Sequence, residues 1–343
     1  MNLELLRRLT QTPGVCGREE RVRELLEMEV RPIFDQVRLD AMGSLIAVRK
    51  GPRAAQRLLL ACHIDEIGFY VSHIDDRGFL RLQNVGGFDM RNLFSRRVLV
   101  QASEGGDLTG LLQAGGRPIH IARDEEKKKV PELGEFFVDL CLPAEEVKKR
   151  VRVGDPVTLA AELAEVGECV VGKSLDNRVA GFVAVEALRK VRRPRFEVAL
   201  ALTVQEEVGC RGAGPAAFAV EPDIAIAIDT TLCVDTPGLP QEERVSVQGQ
   251  GVALTVLDSG SISDRRLIDE FAAIARRRKI PFQLSILPRG TTDAATMQRS
   301  RSGHRSMTYS IPTRYIHTTT ETIHKTDLAA AIDLLAAFLE TQP

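Results

Sequence analysis

Tryptophan is absent from this chain, and aromatic residues of all kinds make up only 5% of it. A surface that stacks single-stranded bases or sugar rings is therefore poorly supplied. Charge of one sign is lacking too: 46 Lys and Arg stand against 47 Asp and Glu, a formal net charge of -1. Neither nucleic acid nor an anionic membrane is an expected partner. The basic clusters Arg276-Arg277-Arg278-Lys279 and Arg299 to Arg305 read as solvated helix faces. No stretch approaches the roughly 20 apolar residues of a membrane span. The first segment, Met1-Asn2-Leu3-Glu4-Leu5-Leu6-Arg7-Arg8, reads as an amphipathic helix without the apolar centre of a signal peptide. The six cysteines form no Cys-x-x-Cys pair, and Cys62, Cys169, Cys210 and Cys233 fall in or beside apolar, strand-like segments. Cysteine packs there as a small hydrophobe. This usage suits a reducing compartment, and the expected location is cytoplasmic.

What remains is an ordinary globular composition, 44% hydrophobic and 27% charged over 343 residues. That length allows two domains, or one large domain with an insertion. Residues 2–32 read as two helices broken at Thr12-Pro13-Gly14-Val15, followed by a hairpin from Gln36 to Arg49. Arg57 to Cys62 is a short buried strand ending at His63. From Gly68 to about Glu165 the texture changes to short strand-like runs separated by Gly, Asp and Asn, the pattern of an all-β module. Such a module has sheet edges that a partner could cover. Alternation of strands and helices then resumes: a helix from Asn177 to Lys190, strands ending at Val204 and Asp229, and a helix from Asp264 to Arg278. The last helix, from Asp327, aligns Leu328, Ile332, Leu335 and Leu339 on one stripe. The expected fold class is α/β, a mostly parallel sheet with helices on both faces and a β-rich insertion.

The chemistry gathers where apolar strands run out. Phe196 to Val204 reads as an interior strand, and Gln205-Glu206-Glu207-Val208-Gly209 follows it. Adjacent glutamates point to different sides, so one can hold a metal while the other holds a proton. In open α/β sheets the ligand site lies outside the carboxyl ends of the strands. His63 ends an earlier strand, and Asp65 can reach back to fix its tautomer. Asp176 stands at the start of a helix, where an N-cap would also explain it. Asp229 repeats the strand-end placement. His304, His317 and His324 compete for a further place. His317 follows Ile311 to Ile316, which can form a strand entering the site, whereas His304 lies in a basic loop and His324 beside the final helix. His73 and His120 read as surface residues of the insertion. Each residue has a plain structural explanation alone; together they suit two metal ions.

These residues resemble the M42 family of metallo-aminopeptidases, the group that includes the tetrahedral TET aminopeptidases. The matching stretches are His63-Ile64-Asp65-Glu66-Ile67-Gly68, Asp176-Asn177-Arg178, Gln205-Glu206-Glu207-Val208-Gly209 with Arg211-Gly212-Ala213, Asp229-Thr230-Thr231, Thr292-Asp293-Ala294 and Pro312-Thr313-Arg314-Tyr315-Ile316-His317. The resemblance implies an α/β/α sandwich catalytic domain with a mixed, mostly parallel sheet, formed by residues 1–67 and 166–343. It also implies an inserted, β-barrel-like dimerisation domain over 68–165. Two divalent ions, zinc first and cobalt or manganese next, would be held by His63 and Asp229 and by Glu207 and His317, with Asp176 between them. Glu206 would be the catalytic base and Asp65 would orient His63. The implied activity is removal of N-terminal residues from peptides, by a dimer assembled into a dodecamer. The sequence departs from the family in the basic run Gln298 to Arg305 and in Thr318-Thr319-Thr320-Glu321 after His317. A dinuclear deacylase of small acylated substrates would share every ligand. A glycosidase, which works with two carboxylates and no metal, and a non-catalytic assembly protein are the remaining alternatives.

Overall fold

The computed structural model describes residues 1–340. Its largest sheet has eight strands in the order Gln36–Leu39, Leu45–Arg49, Glu197–Thr203, Arg57–His63, Ile224–Leu232, Arg305–Thr313, Val252–Leu257, Phe282–Ile286. The three central pairings are parallel, as is the pairing at the Phe282–Ile286 edge, and the others are antiparallel. Because side chains alternate along a strand, one apolar run serves two cores. Leu58, Leu60 and Cys62 enter the larger one, and Leu59 and Ala61 enter the smaller.

The larger face is covered by helices Leu3–Gln11, Glu20–Val30, Leu175–Lys190, Arg265–Arg278 and Lys325–Leu339. The opposite face carries the short helices Ala213–Val220 and Ala294–Gln298, which pack through Ala213, Ala216, Ala217, Ala294 and Met297. Helices therefore lie on both faces, as expected for an α/β/α sandwich. Sequence patterning missed the Ala213–Val220 helix, whose apolar, alanine-rich sequence carries little amphipathic signal.

Between Gly68 and Leu159 six strands close into a barrel around Phe69, Val71, Leu80, Val98, Leu112, Phe136 and Val138. Closure corrects one expectation, because a closed barrel leaves no free sheet edge for a partner to cover. The segment is also not purely β, since helices Asp124–Lys128 and Ala144–Arg150 belong to it. Beyond the barrel, Ala164–Val166, Cys169–Gly172 and Glu321–His324 form a three-stranded antiparallel sheet. No helix among the described residues is long and apolar enough to cross a membrane.

Glu66 ties the site-bearing elements together. Its carboxylate lies 2.5 Å from Lys173 Nζ and 3.2 Å from Arg178 Nη2, and it accepts the Ser174 hydroxyl and the Gly14 N–H. Arg178, fully buried, also donates to the carbonyls of Leu9 and Thr12. Burial alone would raise the Glu66 carboxyl, but Lys173 and Arg178 outweigh it and hold it below the ordinary range. A depressed folded value adds stability above the unfolded value near 4.3, and that contribution is lost as pH falls through the folded value. Glu66→Ala leaves two buried cations unpaired, and urea denaturation should show a loss of about 3–5 kcal/mol. A loss below about 1 kcal/mol would mean that water reaches Lys173 and Arg178.

Candidate metal centre

The parallel strands deliver the site residues to one end of the sheet. His63 closes Arg57–His63 in register with Thr203, and the chain beyond Thr203 presents Glu206 and Glu207. Asp229 lies within Ile224–Leu232, which runs past it to Leu232 rather than ending there. Arg305–Thr313 stops at Thr313, and a turn carries His317 into the site, so His317 is not placed by the strand itself. Asp176 opens helix Leu175–Lys190, where its φ of -76° and ψ of 107° are not helical. That departure swings its carboxylate away from the helix end and toward the histidines.

Asp176 faces both imidazoles, with Oδ1 3.3 Å from His63 Nε2 and Oδ2 3.6 Å from His317 Nε2. His63 Nε2 is also 3.7 Å from Asp229 Oδ1, and His317 Nε2 is 3.2 Å from Glu207 Oε2. Most of these separations are long for hydrogen bonds. They lie close to the roughly 3.3–3.6 Å between donors that surround a tetrahedral ion at 2.0–2.2 Å. Buried Asp176 Oδ1 and Glu207 Oε1 have no hydrogen-bond partner among the described residues. One donor atom each of His63, Asp176 and Glu207 lies within 4.8 Å of the others.

Charge argues the same way. Carboxyl groups of Asp65, Asp176, Glu206, Glu207, Asp229, Asp293 and Glu321 crowd around the two imidazoles in a buried setting. Burial pushes Asp229 up to about 6, helped by Asp176 and Asp293 and opposed by His63. Burial pushes Glu206 well above the carboxylate range; His63 opposes the shift, while Asp229, Asp293 and Glu207 add to it. His63 and His317 would be lowered by burial, but their carboxylate neighbours prevail, and His317 rises to about 9. The cluster thus retains protons where divalent cations would relieve it, and its nitrogen and oxygen donors fit such ions.

Two supporting carboxylates organise the cluster. Asp65, fully buried, accepts the N–H groups of Glu206 and Glu207 at 3.0 Å each and sits 3.5 Å from His63 Nδ1. It therefore contacts the backbone of both glutamates as well as facing the histidine. Glu321, unassigned by sequence reasoning, accepts the N–H groups of Asp176 and His317 at 2.9 Å each. Its only signal was an acidic residue after a threonine run. Asp293 was legible as part of a motif but had no role; it is buried and accepts the Thr203 hydroxyl at 2.5 Å. Cys210 Sγ lies 3.2 Å from Glu206 Oε1. His324 instead caps the last helix by accepting the Thr326 N–H, and His73 and His120 are exposed. His304 lies in the loop before Arg305–Thr313, outside the donor group.

A cavity of about 270 Å³ opens onto the donors, and Leu232, Leu287, Arg289 and Ile316 also line it.

A family model described as M42 glutamyl aminopeptidase matches residues 43–334. The chain is 30% identical to the lysyl aminopeptidase of Pyrococcus furiosus, over 98% of this chain and 96% of that one. Its fold is similar to an aminopeptidase of Desulfurococcus kamchatkensis, with a TM-score of 0.94 at 36% identity, covering 99% and 94% of the two chains. It is also similar to the Pyrococcus horikoshii TET1 peptidase, with a TM-score of 0.86 at 31% identity, covering 99% of each. That peptidase can assemble into a tetrahedron or a large octahedral shell.

Proposed function

The chain belongs to the M42 glutamyl aminopeptidase family and is a peptide hydrolase, and from that premise we propose that it is a dinuclear metal-dependent aminopeptidase. The observation that carries this reading is Asp176, whose two oxygens face two different imidazoles. His63 and Asp229 would hold one ion, Glu207 and His317 the other, and Asp176 both. Mixed imidazole and carboxylate donors favour zinc, with cobalt or manganese also accommodated. When bound, such ions supply a water acidified toward neutrality and a Lewis acid for the scissile carbonyl.

The protein's own residues do the rest. Glu206 takes the proton of the attacking water and passes it to the departing nitrogen. Asp65 fixes the backbone of Glu206 and Glu207, so the proton carrier and the ligand keep separate sides. The carboxylate wall favours a substrate with a cationic α-amine, and cleavage is then confined to the first peptide bond.

An assay of aminoacyl-p-nitroanilides beside N-acyl amino acids tests this specificity. Turnover of the free-amine substrates is expected, and preference for the N-acyl compounds would establish the deacylase alternative instead.

The barrel of residues 68–159 supplies none of the donors described above. Its exposed Phe94, Ile119, Ile121 and Val130 are apolar side chains available for subunit contact. With the assemblies of the TET relatives, one of them a dodecamer, this favours a dimer through the inserted domain of 68–165 and a dodecamer of six dimers. Light scattering should return the dodecamer mass. A stable dimer would remove only the larger assembly, and a monomer at micromolar concentration would remove both.

A further inference from the structure

We propose that Cys210, Asp293 and Glu206 form a third divalent-metal site, which takes a thiophilic ion such as Zn²⁺ or Cd²⁺ and inhibits the enzyme. The inhibitory part rests on Glu206 being the general base; the binding part does not. One donor atom from each of the three residues lies within 4.8 Å of the other two. Cys210 Sγ and Glu206 Oε1 are 3.2 Å apart. A tetrahedral zinc with sulfur at 2.3 Å and oxygen at 2.0 Å needs its donors roughly 3.5 Å apart, so the pair must open by only a few tenths of an ångström.

Asp293 gives the independent sign of a ligand. It is 2% exposed, its Oδ2 accepts the Thr203 hydroxyl, and its Oδ1 has no partner among the described residues. A buried carboxylate oxygen without a donor is costly, and a cation would satisfy it. Glu206 lines the open cavity and gives an ion a path inward.

The donor chemistry separates this site from the other two. The catalytic donors are imidazoles and carboxylates only, whereas a thiolate selects soft ions. Binding breaks the Cys210 S–H bond and forms a metal–sulfur bond, and the proton leaves to solvent; nothing is oxidised or reduced. The ion also takes the Glu206 carboxylate, which can then no longer accept a proton from water. Excess zinc or cadmium would thus stop turnover without displacing the catalytic ions.

The test titrates Cd²⁺ into the metal-loaded protein and follows the ultraviolet thiolate-to-metal charge-transfer band together with turnover of an aminoacyl-p-nitroanilide. The expected result is one further equivalent bound, with the band rising as activity falls. Cys210→Ala should lose that band and need at least tenfold more Cd²⁺ for half-inhibition, each rate being compared with the variant's own uninhibited rate. Asp293→Asn retains the thiol and should weaken Cd²⁺ binding by at least tenfold, since loss of even an outer partner costs 10–100-fold. Cys141→Ser, at the one exposed cysteine, should change neither readout. A band without inhibition would overturn the role of Glu206 alone. Band and inhibition unchanged in Cys210→Ala would overturn the site.

Discussion

Glu206→Gln should lower kcat by about 10²–10⁴-fold while the purified protein keeps its metal. Gln is close to Glu in size, so the cavity is preserved, but its amide cannot take a proton from water. The backbone N–H of residue 206 still reaches Asp65, so the loop that carries Glu207 stays in place. The substitution also removes a carboxyl group from a buried, acid-crowded cluster, and folding stability should not fall. Elemental analysis beside steady-state kinetics checks the separation. If metal were lost in parallel with turnover, Glu206 would be a ligand and the roles of Glu206 and Glu207 would be exchanged.

Asp176→Ala should lose metal as well as activity, and more severely than His317→Ala. Asp176 faces both imidazoles, whereas His317 faces only Glu207 and Asp176. His317→Ala should therefore retain one ion and Asp176→Ala less than one. The folded apo-protein should survive either change, because Glu321 holds positions 176 and 317 through their backbone N–H groups. Thermal unfolding gives a second readout. Metal at 100 times its dissociation constant stabilises a folded protein by about 2.7 kcal/mol, so the wild-type transition should rise on addition of zinc by clearly more than that of Asp176→Ala. Full occupancy in His317→Ala would point to another ligand in its place.

The strands that carry His63 and Asp229, and the one that leads to Glu206 and Glu207, were legible because each is a continuous apolar run broken by an acid or a histidine. A buried parallel strand has no other way to be written. His317 was favoured over His304 and His324 as the residue that follows a strand-like run, but the element that places it was not legible, because a turn beyond Thr313 brings it to the cluster. Glu321 and Cys210 were hidden for a related reason. Glu321 acts through backbone N–H groups at positions 176 and 317, and Cys210 reaches Glu206 across a turn; neither spacing has a local signature. Closure of the barrel depends on the pairing of Gly68–Ile74 with Pro156–Leu159, a long-range match that alternation within single strands does not encode.

The most direct measurement is recovery of aminopeptidase activity as zinc is added back to chelated protein. The account predicts negligible turnover after chelation and full recovery only near two equivalents per chain, with no turnover of an N-acetylated control. Full aminopeptidase activity in the presence of chelator, as a metal-free peptidase would show, or saturation at one equivalent, would contradict it.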